Sequence, residues 1–357
     1  MGAVVGLLSL ATPAMALSDS SAPPARVDTN PPPPHVPVPS PGTGELMGMR
    51  SEFTDPTGMP PGTVNGPCTP ARDHPFPVVL VHGTFANENF SWQTLAPLLS
   101  DAGYCVFGLN YGATEWTTDS GDHIFGVDYL QTSAAELAAF VKKVVLPDTV
   151  EPDGVHATKV DIVGHSQGGM MPRYMIERTG SATFPGLVDA AYVHMLVGLA
   201  PSNHGANAYG LVPIFENLFG PNTWAFPEAE GCGACGEQEA GNPFLTALNA
   251  KETASGVLYY VIESANDEVV TPAPNGLTAA LGEWPSAYLH GPANQVLNVR
   301  LQDQCPTDMT EHIGIIYDPV ALQDVMNALT NNAPVGSRPL SLPQPTCSVV
   351  VPPLISG

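Results

Sequence analysis

Between Val160 and Gly169 an apolar run, Val160-Asp-Ile-Val-Gly164, passes directly into His165-Ser166-Gln167-Gly168-Gly169 and then into a helical apolar pattern reaching residue 179. No other feature restricts the fold as strongly. A G-x-S-x-G placed between a strand and a helix requires a sharp turn, and glycine on either side of the serine leaves room for the neighbouring strand and helix. The serine hydroxyl then stands clear of the sheet edge, with a helix N-terminus behind it that favours developing negative charge. In a glycine-rich chain the same pattern also fits a tight turn holding a structural serine. The strand before it and the helix after it favour a nucleophile at Ser166.

The rest of the chain supplies a sheet for that turn. Apolar, β-rich runs at 77–82, 104–109, 159–164, 192–199, 257–264 and 295–301 alternate with helical patterns at 91–102, 134–145, 167–179 and 319–330. Such alternation predicts an α/β domain over 61–333, with a mostly parallel central sheet and helices on both faces. Residues 201–250 break the rhythm as a Gly-, Pro- and aromatic-rich insertion between two sheet strands. There is no internal repeat.

Acyl transfer through Ser166 also needs donors for an oxyanion, a base and an orienting acid. One donor is the backbone N–H of Gln167; the other comes from the loop after an earlier strand, where Thr84 is the first choice and Phe85 the alternative. His82, at the head of that loop, reads as structural. On this topology the acid and then the histidine follow the serine, and only His194, His204, His290 and His312 do so. Asp267, in the loop after the 257–264 strand, is the preferred acid. Glu268 beside it could substitute, and Glu263 falls inside the strand. His290 precedes the last strand, whereas His312 lies in the loop after it and before the final helix, so His312 is the expected base.

Composition narrows the partners. With 11 Lys+Arg against 34 Asp+Glu, the formal charge of −23 opposes nucleic-acid binding. Hydrophobic residues make up 43% of the chain and charged residues 13%, which is enough apolar material for a core. The start, Met1-Gly-Ala-Val-Val-Gly-Leu-Leu-Ser-Leu followed by Ala14-Met15-Ala16, reads as a signal peptide over 1–16, cleaved after Ala16. Its basic n-region is missing, so the start codon is expected upstream of Met1. The run falls short of the ~20 apolar residues a membrane-spanning helix needs. Residues 17–60, dominated by Pro, Ser, Thr and Gly, read as a stiff linker or disordered arm, and 334–357 as a proline-rich tail pinned by Cys347. Six cysteines, Cys68, Cys105, Cys232, Cys235, Cys305 and Cys347, suit three disulfides in an exported chain. The Cys232-x-x-Cys235 spacing alone leaves a zinc or redox pair open, although no second C-x-x-C accompanies it.

Taken together, Val78-Val-Leu-Val-His-Gly-Thr84, Trp92 with Leu95-Ala-Pro-Leu-Leu99, Gly103-Tyr-Cys-Val-Phe-Gly-Leu-Asn-Tyr-Gly112, Val163-Gly-His-Ser-Gln-Gly-Gly-Met-Met-Pro-Arg173-Tyr, Gly198-Leu-Ala-Pro-Ser-Asn-His-Gly205 and Asp267-Glu-Val-Val-Thr-Pro272 make the chain resemble secreted bacterial class 2 lipases. The resemblance covers roughly 65–330. It implies an α/β-hydrolase fold, Ser166, Asp267 and His312 as a catalytic triad, and Thr84 with Gln167 as the oxyanion hole. It also implies the pairs Cys68–Cys105 and Cys305–Cys347, which leaves Cys232 with Cys235.

The insertion carries Leu211, Val212, Ile214, Phe215, Leu218, Phe219, Trp224 and Phe226. These read either as a subsidiary core or as an acyl-binding wall or lid over Ser166. Phe85, Leu211, Ile214, Phe215, Leu218 and Trp224 are therefore assigned to substrate. The expectation is a secreted, monomeric serine hydrolase of fatty-acid esters, acting on ester or lipid substrate, possessing no transmembrane segment, and requiring neither cofactor nor metal. No ligand loop specifies a structural calcium. The competing readings are a polyesterase, another acyl hydrolase on the same fold, and a catalytically silent surface-binding module.

Overall fold

The computed structural model describes residues 38–114, 117, 124–177, 190–206 and 231–347. The signal-peptide and early-linker assignments at 1–37, the end of the tail at 348–357, and Leu211, Val212, Ile214, Phe215, Leu218, Phe219, Trp224 and Phe226 lie outside these residues.

Six strands form one parallel sheet: β1 (Val78–Val81), β2 (Val106–Leu109), β3 (Val160–His165), β4 (Val193–Leu199), β5 (Leu258–Glu263) and β6 (Val296–Arg300), in the order β2-β1-β3-β4-β5-β6. The strands match the sequence runs to within two residues at each end. β1 to β5 are buried along their whole length, as continuous Val/Ile/Leu runs should be in a sheet covered on both sides. Period-2 alternation divides their side chains between two cores. Val79, Val81 and Ile162 point into one with Leu137 and Met170; Val78, Leu80 and Val163 point into the other with Trp92, Leu95 and Val325.

From β1 the chain crosses to the edge at β2, then returns to the far side of β1 as β3. The order of the strands thus reverses between β1 and β3, and a crevice outside the carboxyl ends of two such strands is where open α/β sheets place their sites.

The helices refine the sequence pattern. The run at 91–102 is two helices, α2 (Glu88–Ser91) and α3 (Leu95–Asp101). Asn87 caps the first through the Phe90 N–H at 2.7 Å. Pro97, lacking an amide hydrogen, is accommodated only in the first turn of a helix, so a second helix begins at Leu95. The 134–145 pattern starts earlier, as α4 (Leu130–Phe140), and runs on through a π-helical turn at Val141–Val145. α5 (Gln167–Glu177) follows β3. The described part of the insertion forms α6 (Gly233–Glu237) and α7 (Pro243–Leu248); Leu245 and Leu248 join the Leu137 core. α8 (Gly276–Leu281), α9 (Leu301–Gln304) and α10 (Pro319–Leu329) complete the body.

One sequence expectation is corrected. Within the supposed linker, residues Pro41–Thr54 form a helix, α1, packed on α2. Gly44 and Gly48, four apart and therefore on one face, allow the approach. A Cβ at Gly48 would lie 2.6 Å from the Phe90 carbonyl, and one at Gly44 would lie 1.9 Å from Thr94 Oγ1. Met49 packs on the second core, and Tyr317 donates from its hydroxyl to the Phe90 carbonyl at the same junction. A composition that reads as linker here encodes a small-residue contact face.

The described tail packs through Leu340, whose N–H meets the Ala293 carbonyl at 2.7 Å. The disulfides are Cys68–Cys105, Cys232–Cys235 and Cys305–Cys347, with Cα separations of 5.9, 5.3 and 5.4 Å.

Candidate functional site

Ser166 sits between β3 and α5 with φ +53°, the left-handed conformation that the sharp turn requires. The turn exists only because its glycines have no side chains. A Cβ on Gly164 would lie 1.8 Å from the Gly168 carbonyl oxygen, and one on Gly168 would lie 2.2 Å from that of Val81. The Ser166 N–H is tied to the Leu199 carbonyl at 2.9 Å, which anchors the turn to β4.

Three side chains then form a chain of hydrogen bonds. Ser166 Oγ lies 3.0 Å from His312 Nε2, and His312 Nδ1 lies 2.8 Å from Asp267 Oδ2. All three residues are buried. The other oxygen of Asp267 accepts the N–H groups of Val269 and Val270 at 2.8 and 2.7 Å, fixing the carboxylate in its loop. Burial pushes the Asp267 pKa up, but the charge and hydrogen bond of His312, with neighbouring Glu263 and the Val270 amide, outweigh it and hold Asp267 below its ordinary value. For His312 burial favours the neutral ring, yet the charge and hydrogen bond of Asp267, aided by Glu268 and Glu311, raise its pKa above the usual imidazole value.

The two alternative acids do different things. Glu268 Oε2 faces the backbone N–H of His312 at 3.5 Å rather than the ring. Glu263, the last residue of β5, is fully buried; desolvation and the neighbouring Asp267 charge raise its pKa well above normal, and its Oε1 accepts the Ser264 N–H. His290 lies elsewhere, bonded to Glu252.

Beside Ser166, neither the Thr84 nor the Gln167 backbone N–H has an acceptor among the described residues. The Phe85 amide, the alternative donor, is engaged by the Phe125 carbonyl at 2.9 Å, while the Phe85 ring packs against the Leu137 core. Thr84 and Gln167 are also joined by their side chains, Thr84 Oγ1 donating to Gln167 Oε1 at 2.6 Å. Gln238, directly after α6, bridges them: its Nε2 lies 3.0 Å from Thr84 Oγ1 and 3.1 Å from Gln167 Oε1, and its own Oε1 accepts from Ser202 at 2.8 Å. The insertion thus reaches the site through a buried amide.

Two histidines frame the arrangement without entering it. His82 stacks on Tyr111 with centroids 4.4 Å apart and bonds to the Gly83 carbonyl; burial lowers its pKa to about 4. His165 points Nε2 at the His312 carbonyl, 2.8 Å away, and burial takes its pKa down to about 3. The sequence reading missed Gln238 and the His165 contact. Gln238 carries no local signal, since its partners lie 154 and 71 residues away. His165 was in view but only as the variable letter of the pentapeptide.

Comparison with known proteins places these residues in context. The family model described as Lipase (class 2) matches residues 75–287. No curated protein sequence matches the chain. Among solved structures, the chain is similar to Aspergillus fumigatus lipase B, with 19% identity and a TM-score of 0.52, over 78% of this chain and 56% of that one. It therefore spans little more than half the length of that relative. Bacillus licheniformis lipase BlEst2 in mature form shares 16% identity over 78% of this chain and 96% of that one, with a TM-score of 0.44. An esterase B from Lactobacillus rhamnosis shares 12% over 76% and 79%, with a TM-score of 0.40. The six-stranded parallel sheet with its flanking helices is an α/β-hydrolase fold.

Proposed function

Because this chain belongs to the class 2 lipase family, we propose that it is a secreted serine hydrolase that cleaves carboxylic esters of fatty acids. The observation that carries the reading is the run of hydrogen bonds from Ser166 through His312 to Asp267, beside two N–H groups with no acceptor among the described residues.

In this reading His312 Nε2 takes the Ser166 proton as Oγ attacks the ester carbonyl carbon. Asp267 keeps Nδ1 protonated and stabilises the imidazolium that forms. The carbonyl oxygen becomes an oxyanion held by the N–H groups of Thr84 and Gln167, with the positive end of α5 behind it. Collapse of the tetrahedral species breaks the C–O bond, and the alkoxide leaves with the proton from His312. Water, deprotonated by the same histidine, attacks the acyl-enzyme, releasing the fatty acid and restoring Ser166. Every group required belongs to the chain.

Secretion is supported by the three disulfides and by the N-terminal sequence pattern. Among the described residues no helix is long and apolar enough to cross a membrane. The preference for acyl chains rests on sequence, in the apolar residues Leu211, Ile214, Phe215, Leu218 and Trp224 of the insertion, with Phe85 on the opposite loop. We take the chain to act as a monomer.

The test is hydrolysis of a p-nitrophenyl ester series of increasing acyl length beside emulsified triglyceride, with Ser166→Ala as control. Turnover of long chains and emulsion, abolished in the variant, is the expected result. Activity confined to short soluble esters would make it an esterase. Wild-type activity in Ser166→Ala would overturn the nucleophile.

A further inference from the structure

Three residues that the proposed reaction does not use meet on one side of the body. His204 follows β4, Glu252 precedes β5 and His290 precedes β6. Their ligand atoms all lie within 4.8 Å of one another, the one such group of histidine, cysteine and carboxylate side chains among the described residues. Sequence spacing could not reveal it, because the three come from separate connections, and no metal ligands were expected.

The two rings converge on a single oxygen. His204 Nε2 lies 3.4 Å, and His290 Nδ1 2.8 Å, from Glu252 Oε1. His204 Nδ1 lies 3.1 Å from the Ser286 carbonyl, which can only accept, so Nδ1 carries a proton. In the neutral ring Nε2 is then a lone pair aimed at a carboxylate oxygen. That arrangement is repulsive unless a proton or a cation lies between them.

The supports are those a ligand set needs. Glu252 Oε2 accepts the His290 N–H at 2.5 Å, and Arg173 Nε donates to the Glu252 carbonyl at 3.1 Å, so the carboxylate is held by its surroundings. Trp284 stacks on His290 with centroids 4.1 Å apart. The His204 Nδ1–H to carbonyl contact is the partner that commonly fixes a metal-bound imidazole.

We propose that His204, Glu252 and His290 bind one divalent transition-metal ion, best matched by zinc. Two imidazole nitrogens and one carboxylate oxygen suit zinc with a solvent molecule as fourth ligand, and are too nitrogen-rich for calcium. Tetrahedral zinc with bonds of 2.0–2.2 Å holds its ligand atoms about 3.3–3.6 Å apart. Reaching that spacing requires the 2.8 Å His290–Glu252 contact to open and the wider separations, up to 4.8 Å, to close, movements centred on His290, whose side chain is 60% exposed. Bound there, the ion ties together the segments leaving β4 and entering β5 and β6 and acts as a structural clip.

The experiment is equilibrium dialysis of the full chain against zinc buffered by a competing chelator, paired with thermal melts and cobalt(II) absorption. One zinc per chain is expected, with a tetrahedral cobalt spectrum and a midpoint raised by about 5 °C or more at a hundredfold excess over Kd. His290→Ala, at an exposed position that should not disturb folding, is expected to weaken binding by at least about tenfold, and His204→Ala likewise. His312→Ala should bind zinc as the parent does. No stoichiometric uptake, unchanged uptake in both His204→Ala and His290→Ala, or loss of uptake in His312→Ala instead would each overturn the site. Uptake does not depend on ester turnover, so the proposed function can fail without affecting this result.

Discussion

His165 Nε2 donates to the backbone carbonyl of His312 at 2.8 Å, so the residue immediately before Ser166 holds the main chain of the histidine that faces it. The carbonyl can only accept, which places the His165 proton on Nε2, and the low pKa of about 3 keeps the ring neutral. The strand end that presents the hydroxyl thus also fixes the loop that presents the imidazole. If Ser166 and His312 act as proposed, replacing His165 by Leu should lower kcat by about 10- to 100-fold with little change in KM, because the Ser166–His312 pair would be misaligned. His165→Gln, which can still donate to that carbonyl, should recover part of the loss. Steady-state kinetics of the two variants on a soluble ester decide it, and equal losses would mean the ring serves only to fill space.

The acidic surroundings of His312 predict a shifted pH profile. Asp267, Glu268 and Glu311 raise its pKa above 6.5 despite burial, and the ring must be neutral to accept the Ser166 proton. kcat/KM should therefore rise with pH through a midpoint above the ordinary imidazole value. Glu268→Gln, removing one of those charges, should move the midpoint down. The stability linkage has the opposite sign: a raised folded pKa means that the pair's contribution is full below about 6.5 and is lost as pH climbs through the folded value. A rate profile beside a denaturation series over the same pH range checks both.

Asp267 and its two acidic neighbours should separate cleanly in kinetics. Asp267→Asn keeps the shape but loses the charge that pairs with Nδ1, and kcat should fall by about 10⁴-fold. Glu268→Gln should cost less than about tenfold, because that carboxylate faces the His312 amide rather than the ring. A larger loss in Glu268→Gln than in Asp267→Asn would exchange their roles.

Gln238 predicts that the insertion contributes to catalysis through one amide. Its Nε2 bridges Thr84 Oγ1 and Gln167 Oε1, the side chains of the two residues whose N–H groups face the site. Gln238→Leu, similar in volume but without those bonds, should reduce kcat by about tenfold or more and leave KM nearly unchanged. Measuring both constants together with a melting curve separates loosened donors from a general loss of folding.

Where the sequence was readable, distance along the chain explains why. Strands of consecutive valines and isoleucines and a glycine-flanked serine are local patterns, and the six strands and the Ser166 turn follow from them. Asp267 and His312 were legible because topology orders the loops, and the fold brings both within hydrogen-bond reach of the Ser166 chain. Gln238 and the His204–Glu252–His290 cluster depend on contacts between distant segments that no periodicity records. The Pro41–Thr54 helix failed for another reason: a stretch dominated by Pro, Ser, Thr and Gly was read as a stiff linker or disordered arm, whereas Pro41 stands in the first turn, where its missing donor costs nothing, and Gly44 and Gly48 form the packing face.

That helix carries the last prediction. Burial raises Glu52 to about 8, and burial together with Glu311 raises Glu45 to about 7, so the docked helix holds both carboxyls largely protonated in mildly acidic solution. A carboxyl whose folded pKa exceeds its unfolded value near 4.5 makes docking less favourable as pH rises between the two, and the penalty is complete above the folded value. Helix docking should therefore weaken from about pH 5 to pH 8. Limited proteolysis within residues 41–54 should be faster at pH 9 than at pH 6, and Glu52→Gln, which stays neutral, should flatten that dependence. Deleting the chain up to residue 55 should lower the melting temperature, since it uncovers the Phe90–Tyr317 junction and the second core beside Met49. A truncated chain that melts like the parent, with a cleavage rate independent of pH, would return the segment to the linker its composition suggests.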